Sequence, residues 1–339
     1  MNEQQKKEFE QKLKDKKLWF CPLPFTHVFS SLSGRYAPCY DALARTGHNM
    51  EDTTIKEWYT SEYQNKLRAE MLKEDYDPKY FRHHCTGCWK QEQKYGRSDR
   101  QKYTEQILAG TFDSKVPELL RAVQKFVEEG AITDFDERIL DIKMKMFGNA
   151  CNLDCYMCTP RSANTRTLSL KQLKKVYDPD LDPKDGEYNI YYSEDNYLNG
   201  AYFFKASKDG ERMNTLKHDD EPYLDDVASV AKYTRSIKLI GGEPLVMKNH
   251  YKLLDKLVAT GYSKGIDLIY KTNLSVFDMD GYNFRDYFDH FKEFVMKISI
   301  DSYGKYNDYL RKKSDWTSLV DNMKTMRARR NARVNVHSV

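Results

Sequence analysis

The chain of 339 residues predicts an α/β fold preceded by a small cysteine-rich α+β module. Three observations carry that reading. From residue 138 onward, short runs with strand character alternate with longer segments of helical period. The seven cysteines divide into four within the first hundred residues and three at 151–158. The polar motifs follow directly on the ends of the strand-like runs. With 31% charged and 40% hydrophobic residues, the chain can bury a large core and has room for about two domains. The sequence divides into the cysteine-rich module at 1–100, a helical linker at 101–137 and the α/β domain at 138–339.

The first strand is expected in RILDIKMKMF (138–147), which alternates apolar and polar residues and delivers the chain into the cysteine loop. SIKLI (236–240), IDLIYK (266–271), FVMKISI (294–300) and RVNVHSV (333–339) are expected to be four more. The helical segments between them are LKQLKKVY, EPYLDDVASVAKYT, NHYKLLDKLVAT, NFRDYFDHF and WTSLVDNMKTMRARR. Strand and helix in alternation imply a parallel sheet or barrel, whose reactive groups gather at the strand C-terminal ends. A long insertion separates the cysteine loop from SIKLI. Within it, EYNIYYSEDNYLNGAYFFKASKDGER (187–212) places two aromatic runs around Asn199-Gly200, the dipeptide of a tight turn, so a β-hairpin is expected near 180–215. It is either a lid over substrate or a hairpin packed outside the domain.

The opening MNEQQKKEFEQKLKDKK is too charged for a signal peptide, and no apolar run approaches the ~18 residues that cross a bilayer. A cytoplasmic location without a membrane partner is expected. Thiols stay reduced there, so seven cysteines, an odd number, point to metal ligation or catalysis more than to disulfides. A net charge of +4 from 55 basic and 51 acidic residues is no nucleic-acid footprint. The local exception, RARRNAR (327–333), reads as the solvated basic end of a helix.

CNLDCYMC (151–158) sets Cys151, Cys155 and Cys158 at intervals of four and three, with Tyr156 between the last two. Three thiolates on one loop cannot close a tetrahedral zinc site or a four-iron cluster; they leave one position open for something else. The competing reading is three buried structural cysteines. After the second strand comes GGEP, where Gly241 and Gly242 let backbone approach a ligand and Glu243 offers an acceptor for an ammonium group. Asn273 follows the third strand. Ser299 and Asp301 alternate at the end of the fourth and share a face, and Arg311 could clamp a carboxylate with its planar fork. Cys21, Cys39, Cys85 and Cys88 could close either a zinc site or a four-iron cluster, while His83 and His84 read as ordinary histidines.

CxxxCxxC with its aromatic residue, GGEP after the next strand, and SxD with a following arginine together resemble the radical S-adenosylmethionine (SAM) superfamily over roughly 138–339. The resemblance implies a partial (β/α)6-type barrel. VNVHSV is only its fifth strand, so either the chain is a fragment or another segment supplies the sixth. The resemblance also implies that Cys151, Cys155 and Cys158 hold three irons of a [4Fe-4S] cluster, the fourth being chelated by the methionyl amine and carboxylate. Tyr156 would lie near the adenine. Glu243, the Gly241-Gly242 backbone and Pro244 would form the ammonium-binding turn, Arg311 would bind the carboxylate, and Ser299 and Asp301 the ribose and neighbouring groups, with Asn273 beside them. The implied chemistry is reductive cleavage of SAM to a 5'-deoxyadenosyl radical, which takes hydrogen from substrate.

The N-terminal cysteines, spaced C-x12-G-x4-C and then CTGC at 85–88, are similar to the SPASM or twitch modules that carry auxiliary iron-sulfur clusters. The further cysteines of a two-cluster module are missing, and this module precedes the barrel, so one auxiliary cluster is implied, with zinc as its rival. The expected function is a radical SAM enzyme acting on a peptide or a small metabolite, served by an electron donor such as flavodoxin or ferredoxin. The alternative is a non-catalytic iron-sulfur or zinc binding scaffold.

Overall fold

The computed structural model describes residues 3–31, 34–42, 46–112, 115–144, 149–159, 162–163, 165–166 and 222–338. The chain forms two compact units, 1–144 with 229–237, and 145–228 with 238–339. The strands are β1 (His27–Ser30), β2 (Tyr36–Ala37), β3 (Leu140–Met144), β4 (Thr234–Leu239), β5 (Asp267–Thr272), β6 (Asp278–Met279), β7 (Tyr282–Asn283), β8 (Glu293–Ser299) and β9 (Ala332–His337). Seven of them make a mostly parallel sheet in the order β2-β1-β3-β4-β5-β8-β9, and β6 pairs with β7.

The first unit is mainly helical. Its opening helix, Glu3–Lys14, buries Phe9 and Leu13, and Leu18, Trp19, Phe20 and Cys21 then run into the core. Thr54 and Glu57 form a reciprocal capping box that starts the helix Ile55–Thr60, and the Ser61 hydroxyl caps Glu62–Met71 by accepting from Gln64 N. Gly130, at φ 76°, closes the helix Val116–Glu129 in the left-handed region that glycine occupies without strain. That helix turns Leu119, Leu120, Val123 and Phe126 inward, with Phe126 meeting Phe25 edge-on at 6.0 Å. It and Asp99–Leu108 occupy the stretch expected to be a helical linker.

Each of the five strands expected from the alternation is present, and the pairs β5-β8 and β8-β9 are parallel. A further parallel strand was not foreseen. β1, from HVFS at 27–30, pairs residue for residue with β3, His27 beside Asp141 through Ser30 beside Met144. Among the described residues, this added strand lies beside the first expected strand, and β9 ends the strand order on the other side. This pairing is why β3 belongs with the N-terminal unit.

The second unit packs the helices Pro222–Ser229, Lys248–Ala259, Lys305–Leu310 and Trp316–Arg327 with β5, β8 and β9. NFRDYFDHF is not the helix its pattern predicts. Only a single 3-10 turn forms, Phe284–Tyr287, started by Asn283, whose side chain accepts from Arg285 N. Its aromatic residues instead plug the core: Phe284 lies 5.3 Å from Tyr270 and 5.6 Å from Phe294, ring to ring. His250 is a core histidine, held at 2.7 Å from the Tyr270 hydroxyl and pushed down to about 3 by burial. The basic run behaves partly as expected: the helix ends at Arg327, but Arg329 pairs with Asp289 and Arg333 with Glu293. The LKQLKKVY helix and the hairpin near 180–215 lie outside the described residues.

Candidate functional site

The cysteine loop is pinned by main-chain bonds to the end of the helix Lys305–Leu310 and the residues just after it. Asp154 N donates to Lys312 O at 2.9 Å, and Tyr156 N to Leu310 O at 3.0 Å. Ion pairs fix the turn: the buried Asp154 carboxylate faces the buried Arg166 at 3.3 Å and the exposed Lys312 at 3.7 Å, and Arg166 Nε donates to Cys158 O at 3.2 Å. Cys155 is only 3% exposed, and Cys151 and Cys158 are half-buried. The thiols act on one another. Cys155 is held well above the usual thiol range by the hydrogen bond it shares with Cys158 and by burial. Cys158 is pulled down to about 7 by the same bond, with the Arg311 and Arg166 guanidinium groups adding to it. Burial pushes Cys151 up to about 12, with the Glu243 carboxylate contributing.

The GGEP turn meets this loop through backbone. Glu243 N donates to Ala150 O at 2.8 Å. A Cβ on Gly242 would fall 2.1 Å from Ala150 O and 2.4 Å from Asn149 O. The glycine is therefore required for the approach of two chain segments, whereas the sequence suggested approach of a ligand. Gly242→Ala should cost about 1–3 kcal/mol, because neither carbonyl is the mobile end of a side chain. A lowered melting temperature is the expected readout, and an unchanged one would place the turn away from the loop.

Glu243 is 1% exposed. Its carboxylate accepts from Thr272 Oγ1 at 2.6 Å, Asn273 N at 2.5 Å and Leu245 N at 3.2 Å. Burial pushes it up to about 7 in spite of these donors. Pro244 follows as the buried first residue of a 3-10 turn. Asn273 bridges to the loop: its Nδ2 donates to Asn152 Oδ1 at 3.0 Å and stands 3.9 Å from Cys151 Sγ. Arg311 is 5% exposed, with Nη1 at 3.8 Å from Cys155 Sγ and Nη2 at 2.6 Å from Asp301 Oδ2. Ser299 closes β8 two residues before Asp301. Tyr156 is 51% exposed, 5.5 Å from the Tyr309 ring. The structure thus brings the three cysteines together with Glu243, Asn273 and Arg311. Sequence reasoning missed Asn152, Asp154, Arg166 and Thr272, which lie in or near the motifs but gain their roles only through tertiary contacts.

In the first unit, Cys21, Cys39, Cys85 and Cys88 line one cavity together with Tyr40, Asp41, Asp99, Arg100 and Tyr103. Gly87 of CTGC explains how two distant pairs meet. Its N–H donates to Asp41 O at 3.2 Å, and a Cβ there would lie 2.6 Å from Asp41 Cβ. The CxxC turn is thereby pressed against the residues after Cys39. Burial raises the Cys39 thiol to about 12 and pushes Cys21, Cys85 and Cys88 up as well. Arg100 stands beside them, its guanidinium 4.0 Å from the Trp19 ring and paired with Glu92 at 2.8 Å. Neither His83 nor His84 lines the cavity, and His84 Nδ1 bonds Tyr63 at 2.9 Å.

Among the described residues, no group of three or more His, Cys, Asp or Glu side chains is arranged to hold a metal ion as it stands. The donor chemistry is nonetheless that of soft thiolate ligation, with four thiols around one cavity and three on one loop. No helix among the described residues is long and apolar enough to cross a membrane. No protein-family model matches the chain, and no curated protein matches it.

Proposed function

We propose that the protein is a radical SAM enzyme of the cytoplasm with one auxiliary iron-sulfur cluster. The observation that carries this reading is the convergence of Cys151, Cys155 and Cys158 with Glu243, Asn273 and Arg311, drawn from four separate segments. Cys151, Cys155 and Cys158 would hold the SAM-binding cluster, and Cys21, Cys39, Cys85 and Cys88 the auxiliary one. When bound, the cluster supplies the electron that cleaves the SAM sulfonium. The chain's own residues position and shield it. Asn273 and Asn152 orient the Cys151 end of the loop, Arg311 sets a positive charge beside Cys155, and burial of Cys155 shields that end of the site. A flavodoxin- or ferredoxin-type donor would deliver the electron, and substrate hydrogen abstraction would follow.

The test is anaerobic reconstitution, with iron and sulfide counts and a dithionite assay for 5'-deoxyadenosine. Protein that takes up iron and sulfide yet yields no 5'-deoxyadenosine overturns the reading. One variant probes the SAM pocket itself. Arg311→Lys keeps a positive charge beside the buried Asp301 carboxylate, so the fold should persist, but a point charge cannot reproduce a bidentate grip on a carboxylate. SAM binding should weaken by about 1.5–3 kcal/mol, and equal affinity by calorimetry would remove Arg311 from the pocket.

A further inference from the structure

One face of the sheet in the second unit is unusual in its charge. Alternation along β5 puts Asp267, Ile269 and Lys271 on the same side, and along β8 Glu293, Val295, Lys297 and Ser299. Register sets Asp267 beside Glu293, Ile269 beside Val295 and Lys271 beside Lys297. The opposite side is all core, with Leu268, Tyr270, Phe294, Met296 and Ile298 buried. At the start of the strands the two acids already have partners, Lys292 at 3.3 Å from Asp267 and Arg333 against Glu293.

At the other end, among the described residues, no acid pairs with the lysines of β4, β5 and β8. Lys271 and Lys297 stand on neighbouring strands roughly 4.8 Å apart, and Lys238, near the end of β4, is close enough to feel both. All three are half-buried, and among the described residues none has an ion-pair or hydrogen-bond partner. Their field reaches β9, where His337 is pushed below the usual histidine range by Lys271 first and by Lys297 and Lys238 as well, against an opposing pull from Asp301. Like charges directly across a sheet destabilise it. One pleat further, about 6.6 Å along each strand, come Asn273 and Ser299 of the candidate site.

We infer that the row Lys238, Lys271 and Lys297 is the subsite for a phosphate-bearing small-molecule substrate, adjoining the cysteine-loop site. This rests on the reading of that site proposed above. Three compact ammonium groups spread across adjacent strands suit the many oxygens of a phosphate ester or diphosphate, where a single carboxylate would favour the planar fork of arginine.

Inorganic pyrophosphate is the probe, titrated by calorimetry into the full chain at low ionic strength without SAM or reductant. It should bind, and Lys271→Gln and Lys297→Gln should each weaken it about tenfold or more. Lys292→Gln removes the same charge from an exposed position and should change affinity by no more than about twofold. No binding, equal losses in all three variants, or citrate binding as tightly as pyrophosphate would overturn the assignment. A second readout is the His337 ring, followed by NMR. Pyrophosphate on the lysines should raise its titration midpoint, and a midpoint that stays put would also overturn the assignment. If pyrophosphate behaves as expected while reconstituted protein makes no 5'-deoxyadenosine, the subsite stands and the radical SAM reading falls. If 5'-deoxyadenosine forms while pyrophosphate fails to bind, the reverse holds.

Discussion

Cys155→Ala is expected to abolish 5'-deoxyadenosine formation while the protein stays folded. Cys155 is the most deeply buried of the three loop thiols, shares a hydrogen bond with Cys158 and lies 3.8 Å from Arg311 Nη1. Two remaining thiolates leave the cluster one protein ligand short of the three this loop supplies, so the cluster should be lost or fail to present a single open iron. The fold should survive for a reason the sequence did not supply. A loop that follows the end of a strand would be expected to lie off the core, but Cys155 is buried. What holds the loop is main chain: Asp154 N to Lys312 O, Tyr156 N to Leu310 O, and Glu243 N to Ala150 O. None of these bonds uses the sulfur. Removing one buried sulfur should therefore cost about 1–2 kcal/mol, within the range of ordinary large-to-small changes. Cys155→Ser, which nearly preserves volume, should be equally inactive and closer to wild type in melting temperature. Wild-type turnover in either variant would sink the assignment of the loop.

The five strands of the α/β domain were legible because LDIKM alternates apolar and polar residues and the other four are short runs rich in β-branched, aromatic or other apolar residues set between helical segments. β1 was not, since four residues inside a cysteine-rich stretch carry too little pattern to separate strand from loop. NFRDYFDHF misled for the opposite reason: its spacing fits a helix, but Phe284 and Phe288, packed on each other and on Phe277 and Phe294, are satisfied by one tight turn set into the core. In the site, the cysteines, GGEP and Arg311 could be found as motifs. The partners that give them their geometry could not. Thr272 reaches Glu243 across 29 positions and Asn273 reaches Asn152 across 121, distances over which local pattern is silent. The lysine row shows the same limit. Each lysine looks like an ordinary polar position in its strand, and only register sets Lys271 against Lys297.

Replacing Cys85 and Cys88 together with serine should remove one metal centre and leave the other. The two cysteine groups belong to different compact units, and each is assembled by contacts within its own unit. Cys85 sits between the helices Pro78–His84 and Thr86–Tyr95, and the Gly87 N–H bond to Asp41 O that docks this turn on the Cys39 segment survives a side-chain change. The unit should therefore stay folded without the two sulfurs. If each group holds a four-iron cluster, reconstituted wild-type protein should carry about eight irons per chain and the double variant about four. SAM cleavage uncoupled from substrate should largely survive, because Cys151, Cys155 and Cys158 keep their loop. Iron that stays near eight would mean that Cys85 and Cys88 hold none of it. Wild-type protein with about four irons and one zinc would make the N-terminal site a structural ribbon, since four thiolates with one CxxC also satisfy tetrahedral zinc. Metal analysis of the wild type and the double variant separates these outcomes without any knowledge of the substrate.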